Sequence, residues 1–206
     1  AMNKGIERAT GDVIGLVNAD DFYADGAVKT VAEMHAEHPD SIIVGAMNRV
    51  KTDGSTYTLR RNLSYGYLDD TIHYAMPVNH PATFVPASVY RRLGTFDSRF
   101  QISGDYEFIC RCYTQDIPFI FVDRVLSNMR TGGLSSGLNN VWKKAREHYA
   151  LRRKNEMMDS ATNAALSAGW FLSTVAKEGL KTLLPASLEA YLYRVRHGEA
   201  SGKHMS

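Results

Sequence analysis

Leu16-Val17-Asn18-Ala19-Asp20-Asp21 is an apolar strand end that runs directly into two carboxylates. Upstream of it Val13, Ile14, Leu16 and Val17 make residues 12–18 a nearly continuous apolar run. That pattern belongs to a strand covered on both faces within an α/β sheet. Downstream, Phe22 and Tyr23 lead to a helix-like segment from Asp25. Asp20 and Asp21 therefore fall at the carboxyl end of the strand, where open α/β sheets bind their ligands. Adjacent hard oxygen ligands there can hold Mg²⁺ or Mn²⁺, and such an ion can clamp a diphosphate. The alternative is an acidic turn that caps the next helix, and an isolated Asp-Asp pair favours it.

The chain has 206 residues, 44% hydrophobic and 22% charged, enough for one sizeable core. Its 24 basic and 22 acidic residues leave a formal net charge of +2, which gives no case for nucleic-acid binding. The charge is uneven, with Lys143, Lys144, Arg146, Arg152, Arg153 and Lys154 gathered in one region. Cys110 and Cys112 are the two cysteines; at i, i+2 on a helix they point apart and read as packing residues. Low cysteine usage fits a reducing cytosol, and no apolar run reaches membrane-spanning length.

Residues 25–38 form a predicted helix with an apolar stripe at Ala27, Val28, Val31, Ala32 and Met34, stopped by Pro39. Residues 41–51 read as a strand, and Asp53-Gly54 as a hairpin turn into 55–61. A short helix is expected over 68–74, a strand over 82–85, a helical turn over 88–93 ended by Gly94, a helix over 105–115 and a buried strand over 118–125. Beyond Gly137 the texture turns helical, with predicted helices at 139–155, 160–184 and 187–197 and a flexible tail after Gly198. The 160–184 helix is amphipathic; packing or a subunit contact is favoured over a membrane surface, which the upstream basic cluster would also suit.

The ordered blocks resemble a family 2 glycosyltransferase. They are Asn3-Lys4-Gly5-Ile6, Ala9-Thr10-Gly11-Asp12, Asn18-Ala19-Asp20-Asp21, Asn79-His80-Pro81-Ala82-Thr83-Phe84, Tyr90 to Asp97, Ile102-Ser103-Gly104-Asp105-Tyr106-Glu107-Phe108, and Ser127-Asn128-Met129-Arg130-Thr131-Gly132-Gly133-Leu134-Ser135. The resemblance covers roughly residues 1–136. It implies an α/β, GT-A-like three-layer fold with a mixed sheet over 1–136, followed by a helical extension over 137–206. It also implies a preceding Pro-x-Tyr-Asn-bearing strand and two βα units that hold the nucleotide base and ribose. Nothing of that kind precedes Ala1, so the chain reads as the catalytic and acceptor part of a longer protein.

By the same resemblance Asp21 is the metal ligand, for Mn²⁺ or Mg²⁺, and Asp20 contacts the donor ribose or sugar, or binds the ion through water. Asp105 is the expected catalytic base, where many members carry a preceding Glu and this chain has Gly104; a helix N-cap is the plainer alternative, compatible with that role. Glu107 is expected to face the same cleft as a partial replacement. Arg130, Gly132 and Gly133 resemble a loop that approaches phosphate, although a plain flexible connection reads the same way. Lys4 is a candidate diphosphate contact with a surface lysine as the duller alternative, and His80 a pocket-lining hydrogen bonder. The implied activity is inverting transfer of a sugar from a nucleotide-diphosphate donor to a saccharide or lipid-linked acceptor. Its expected setting is bacterial and cytoplasmic, at the inner face of the membrane, with a homo-oligomer as a further expectation. Two rivals remain: a non-catalytic binding module with this fold, and a metal-dependent phosphoryl- or nucleotidylyl-transfer enzyme. The second lacks a G-x-x-x-x-G-K-[ST] loop in this chain.

Overall fold

The structure, a computed structural model, describes residues 2–50, 54–59, 63–130 and 139–183. Helix α1 (Met2–Arg8) leads to strand β1 (Val13–Gly15), the two-residue β2 (Phe22–Tyr23) and helix α2 (Ala27–Glu37). Strand β3 (Ile42–Val50) pairs antiparallel with β4 (Thr56–Leu59), and α3 (Tyr65–Ile72) follows. A 3₁₀ turn (His80–Ala82) opens β5 (Thr83–Pro86), then come α4 (Ala87–Leu93), α5 (Gly104–Thr114) and the long β6 (Phe119–Arg130). Helices α6 (Asn139–Lys154) and α7 (Ser160–Leu183) close the described chain. The sheet is mixed, in the order β1-β5-β3-β6-β2 with β4 on β3; β3 and β6 run parallel and the other pairs antiparallel.

Side-chain alternation along β3 separates two cores, as a pleated strand requires. Ile43 and Met47 face α2, joining Ala27, Val31, Phe84 and Leu126. Ile42 and Val44 face the other way, into the larger cluster of α3, α4, α5 and α6, with Tyr106, Phe108, Phe119 and Leu151. A sheet between two helical layers is the three-layer fold expected from the resemblance.

Three elements depart from expectation for physical reasons. The run 12–18 yields only a three-residue strand, because β1 pairs with β5 alone among the described residues and Val17 is exposed. Its two faces are nevertheless covered, Ile14 lying in the larger core and Val13 packing against the smaller one. Its Gly15 lies so close to its neighbours that a Cβ would meet Phe84 and the Tyr23 hydroxyl at 2.5 Å. Strand β6 outruns the expected 118–125, continuing to Arg130 after a bulge against Gly45 and Ala46, where Asp123 and Arg124 turn to solvent. Gly45 is required there, since a side chain would collide with Leu126. In α2, Val28 lies outside the buried stripe and is 65% exposed.

The C-terminal helices join the core rather than standing apart. Val141, Ala145 and Leu151 of α6 are buried, and α6 packs on both α5 and α7. Arg152, almost fully buried, reaches Asn163 Oδ1 at 2.9 Å, Ser167 Oγ at 2.7 Å and the His73 carbonyl at 3.2 Å. The basic cluster of the sequence is thus divided: Arg152 goes inward, Lys154 pairs with Asp97 and Glu107, and Lys143 bonds Gln101. No helix among the described residues is long and apolar enough to cross a membrane. The expected 187–197 helix and the tail lie outside the described residues, as does the expected boundary at 136/137.

His148 of α6 is wedged edge-on to Tyr106 with ring centroids 5.1 Å apart, at the same distance from Trp170, and its Nδ1 has no hydrogen-bond partner among the described residues. Burial, with Arg152 and Lys144 adding to it, lowers its pKa from 6.5 to about 4. A depressed histidine favours the unfolded state when protons are plentiful: its contribution to stability is complete above pH 6.5 and is lost as pH falls toward 4. Between pH 7.5 and 5 the loss should be about 2 kcal/mol. Denaturant melts of the parent and of His148→Phe at the two pH values measure it, and equal pH dependence in both proteins would rule His148 out as the cause.

Candidate functional site

The site lies where α1, the turn after β1, the 3₁₀ turn, the α4–α5 connection and the start of α5 converge. Asn3 of α1 braces this region by bonding both the carbonyl (2.8 Å) and the N–H (3.1 Å) of Phe96. Between these elements is a cavity of about 310 Å³ lined by Asn18, His80, Asp97, Gln101 and Asp105, with Met2, Phe96 and Phe100 as apolar walls. That size and mixed lining suit a small ligand.

Asp105 stands in the first turn of α5, one residue beyond the helix start at Gly104, with its Oδ1 accepting the Tyr106 N–H at 2.8 Å. The N-cap is Ser103, so Asp105 is not spent on capping. His80 opens the 3₁₀ turn and lines the same cavity. Burial lowers its pKa below 6.5, and the nearby Asp105 charge offsets this only in part. At neutral pH His80 is therefore an uncharged imidazole that can both donate and accept hydrogen bonds.

Asp21 sits beside this cavity. Asn18, a cavity residue, donates from Nδ2 to Asp21 Oδ2 at 2.9 Å, and the backbone N–H of Arg130 donates to Asp21 Oδ1 at 3.0 Å. Residues 109 positions apart meet because β2 pairs with the far end of β6. Asp20 is exposed on the same turn, as is the Arg130 side chain at the end of β6. Among the described residues no three acidic, histidine or cysteine side chains converge as a metal cage. Two neighbouring carboxylates nevertheless match the donor set of a Mg²⁺ or Mn²⁺ that keeps waters and substrate phosphate oxygens as its other ligands.

Two expected site residues fall elsewhere. Glu107 does not face the cleft. It is fully buried and pairs with Arg111 at 2.9 Å and Lys154 at 2.7 Å. The reason is helical geometry: positions i and i+2 diverge by about 200° around a helix, so Asp105 and Glu107 cannot share the cavity once α5 is formed. Lys4 is exposed on α1 and does not line the cavity, although its neighbour Asn3 does. Gly132 and Gly133 lie outside the described residues. Sequence reasoning missed Asp97, whose carboxyl is held far below its usual range by Arg99, with Lys154 also helping. It stands in a block already quoted for the resemblance, which was the available signal. Glu147, described below, carried none.

The acidic turn and the helix-start carboxylate thus lie around one cavity on a mixed sheet. Residues 1–94 match the family described as Glycosyl transferase family 2, which bears out the resemblance read from the ordered blocks. A PGL/p-HBAD biosynthesis glycosyltransferase of Mycobacterium tuberculosis is 24% identical over 119 residues, covering 55% of this chain and 43% of that one. An uncharacterized protein of Sinorhizobium fredii is 26% identical over 175 residues, covering 81% of this chain and 18% of its own length. The chain spans less than half the length of these curated relatives. Among solved structures, S. aureus TarS 1–349 in complex with UDP matches with a TM-score of 0.54 at 13% identity, over 91% of this chain and 55% of that one. The same protein in complex with UDP-GlcNAc matches with 0.54 at 14% identity, over 82% and 50%.

Proposed function

We propose that this chain carries the diphosphate-facing and acceptor-facing part of a glycosyltransferase, which moves a sugar from a nucleotide-diphosphate donor to a hydroxyl of a saccharide or lipid-linked acceptor. The observation that carries the reading is the shared position of Asn18. It lines the cavity of Asp105 and His80 while bonding Asp21, so a donor diphosphate at the acidic turn would present its sugar to the carboxylate of α5.

In this reading Asp105 takes the acceptor hydroxyl proton as the oxygen attacks the anomeric carbon, and the nucleoside diphosphate leaves from the opposite side with inversion. His80 orients the hydroxyl, and Arg130 adds positive charge near the departing diphosphate. Asp21, with Asp20 beside it, would hold a Mn²⁺ or Mg²⁺ that neutralises charge on the leaving group. A lipid-linked acceptor or an inner membrane surface would meet the exposed Trp142 and Leu172, which flank a hollow of about 470 Å³ between α6 and α7. A second copy of the chain there is the competing occupant.

Replacing Asp21 by Ala removes the anion nearest both Asn18 and Arg130. Binding of UDP or GDP, titrated with and without Mn²⁺, should lose its metal-dependent part by at least tenfold to a hundredfold. Affinity that is independent of metal and indifferent to Asp21→Ala would sink the donor-site assignment.

A further inference from the structure

We propose that Glu147 of α6 is a positioning residue, which holds the segment 101–103 in place and thereby sets Asp105 against the acceptor; this rests on the role given to Asp105 above. The Glu147 carboxylate is 6% exposed and accepts three consecutive backbone N–H groups: Gln101 at 3.1 Å on Oε1, and Ile102 at 3.0 Å and Ser103 at 2.8 Å on Oε2. One turn earlier on α6, Lys143 bonds the Gln101 side chain.

These three N–H groups precede α5 and have no place in its helical ladder, and buried backbone donors must find acceptors. Burial deepens from the exposed Gln101 through Ile102 to the buried Ser103, and one side chain 44 to 46 residues away satisfies all three. A carboxylate does this better than any neutral group, because charge-assisted bonds are shorter and roughly twice as strong. The segment it holds is a wall of the site. Gln101 and Ile102 line the cavity, and Ser103 holds the N-cap position, without a side-chain cap bond, of the helix whose first turn carries Asp105. A base must be placed within a fraction of an ångström to reach its proton, and a displacement of 1 Å can cost a hundredfold in rate. Helix α6 therefore serves the site through Glu147, although it supplies no atom to the cavity.

The test compares the intact parent with Glu147→Gln, Glu147→Asp and Asp105→Asn. Hydrogen exchange is followed over residues 101–106, and release of UDP or GDP from a set of UDP- and GDP-sugars gives turnover. Glu147→Gln should exchange at least tenfold faster at 101–106 and lose about tenfold or more in kcat. Its donor KM should stay within twofold and its melting temperature near the parent's, with Glu147→Asp in between. Unchanged exchange overturns the proposal. So does faster exchange with parental kcat while Asp105→Asn is inactive. If Asp105→Asn turns over as the parent does, the base assignment has failed instead, and exchange at 101–106 then decides alone whether Glu147 holds the segment.

Discussion

Asp105→Asn should lower sugar transfer by on the order of 10²–10⁴-fold while nucleotide affinity changes by less than about twofold, the signature of a lost general base. The amide keeps the size of the carboxyl group and its contact to the Tyr106 N–H, so α5 and the cavity should be preserved. What is lost is the capacity to take a proton. In the proposed reading the diphosphate end of the donor meets the acidic turn, where Asp21 contacts Asn18 and the Arg130 backbone rather than Asp105. Binding and chemistry should therefore separate cleanly. Initial rates and UDP titrations on the same preparation check this, and a parental transfer rate in Asp105→Asn would remove Asp105 from the mechanism.

Glu107→Ala should destabilise the fold by about 3–5 kcal/mol, the range for a buried ion pair deprived of one partner. Arg111 places two nitrogens on Glu107, at 3.2 and 2.9 Å, and Lys154 a third at 2.7 Å, all against a carboxylate with no solvent exposure. Arg111 also bonds the carbonyls of Leu93 and Thr95, and Lys154 the carboxylate of Asp97. Glu107 thus ties α5 to the end of α4 and to α6 from a position no solvent can reach. Removing it takes the buried anion from Arg111, whose side chain is 17% exposed, and from Lys154, which is 32% exposed and keeps Asp97 as its remaining partner. Chemical denaturation measures the loss. A change below about 1 kcal/mol together with abolished transfer would restore Glu107 to the substrate site.

The contrast between Asp105 and Glu107 shows where local sequence stops being informative. Both stand in Gly104-Asp105-Tyr106-Glu107, and the block placed them correctly at the start of a helix. Which of them faces the cavity depends on which side of α5 meets the core, and that is settled by Tyr106, Phe108 and Ile109 packing beneath it. The acidic turn was legible for a simpler reason: an apolar run ending in two carboxylates marks a strand end whatever lies around it. The length of that strand was not legible, because coverage of its two faces is decided by neighbours distant in the chain.

From sequence alone came the α/β class, the order of the elements, the acidic turn and the helix-start carboxylate, all of which rest on periodicity and on residues adjacent in the chain. Tertiary structure alone decided the rest. It joined Asp21 to Arg130, sent Arg152 inward from what reads as a solvated basic stretch, tied Lys154 to Asp97 and Glu107, and set Glu147 on the backbone of 101–103. A charged side chain is buried only where partners compensate its lost hydration, and for Arg152 and Glu147 those partners lie between 11 and 79 residues away.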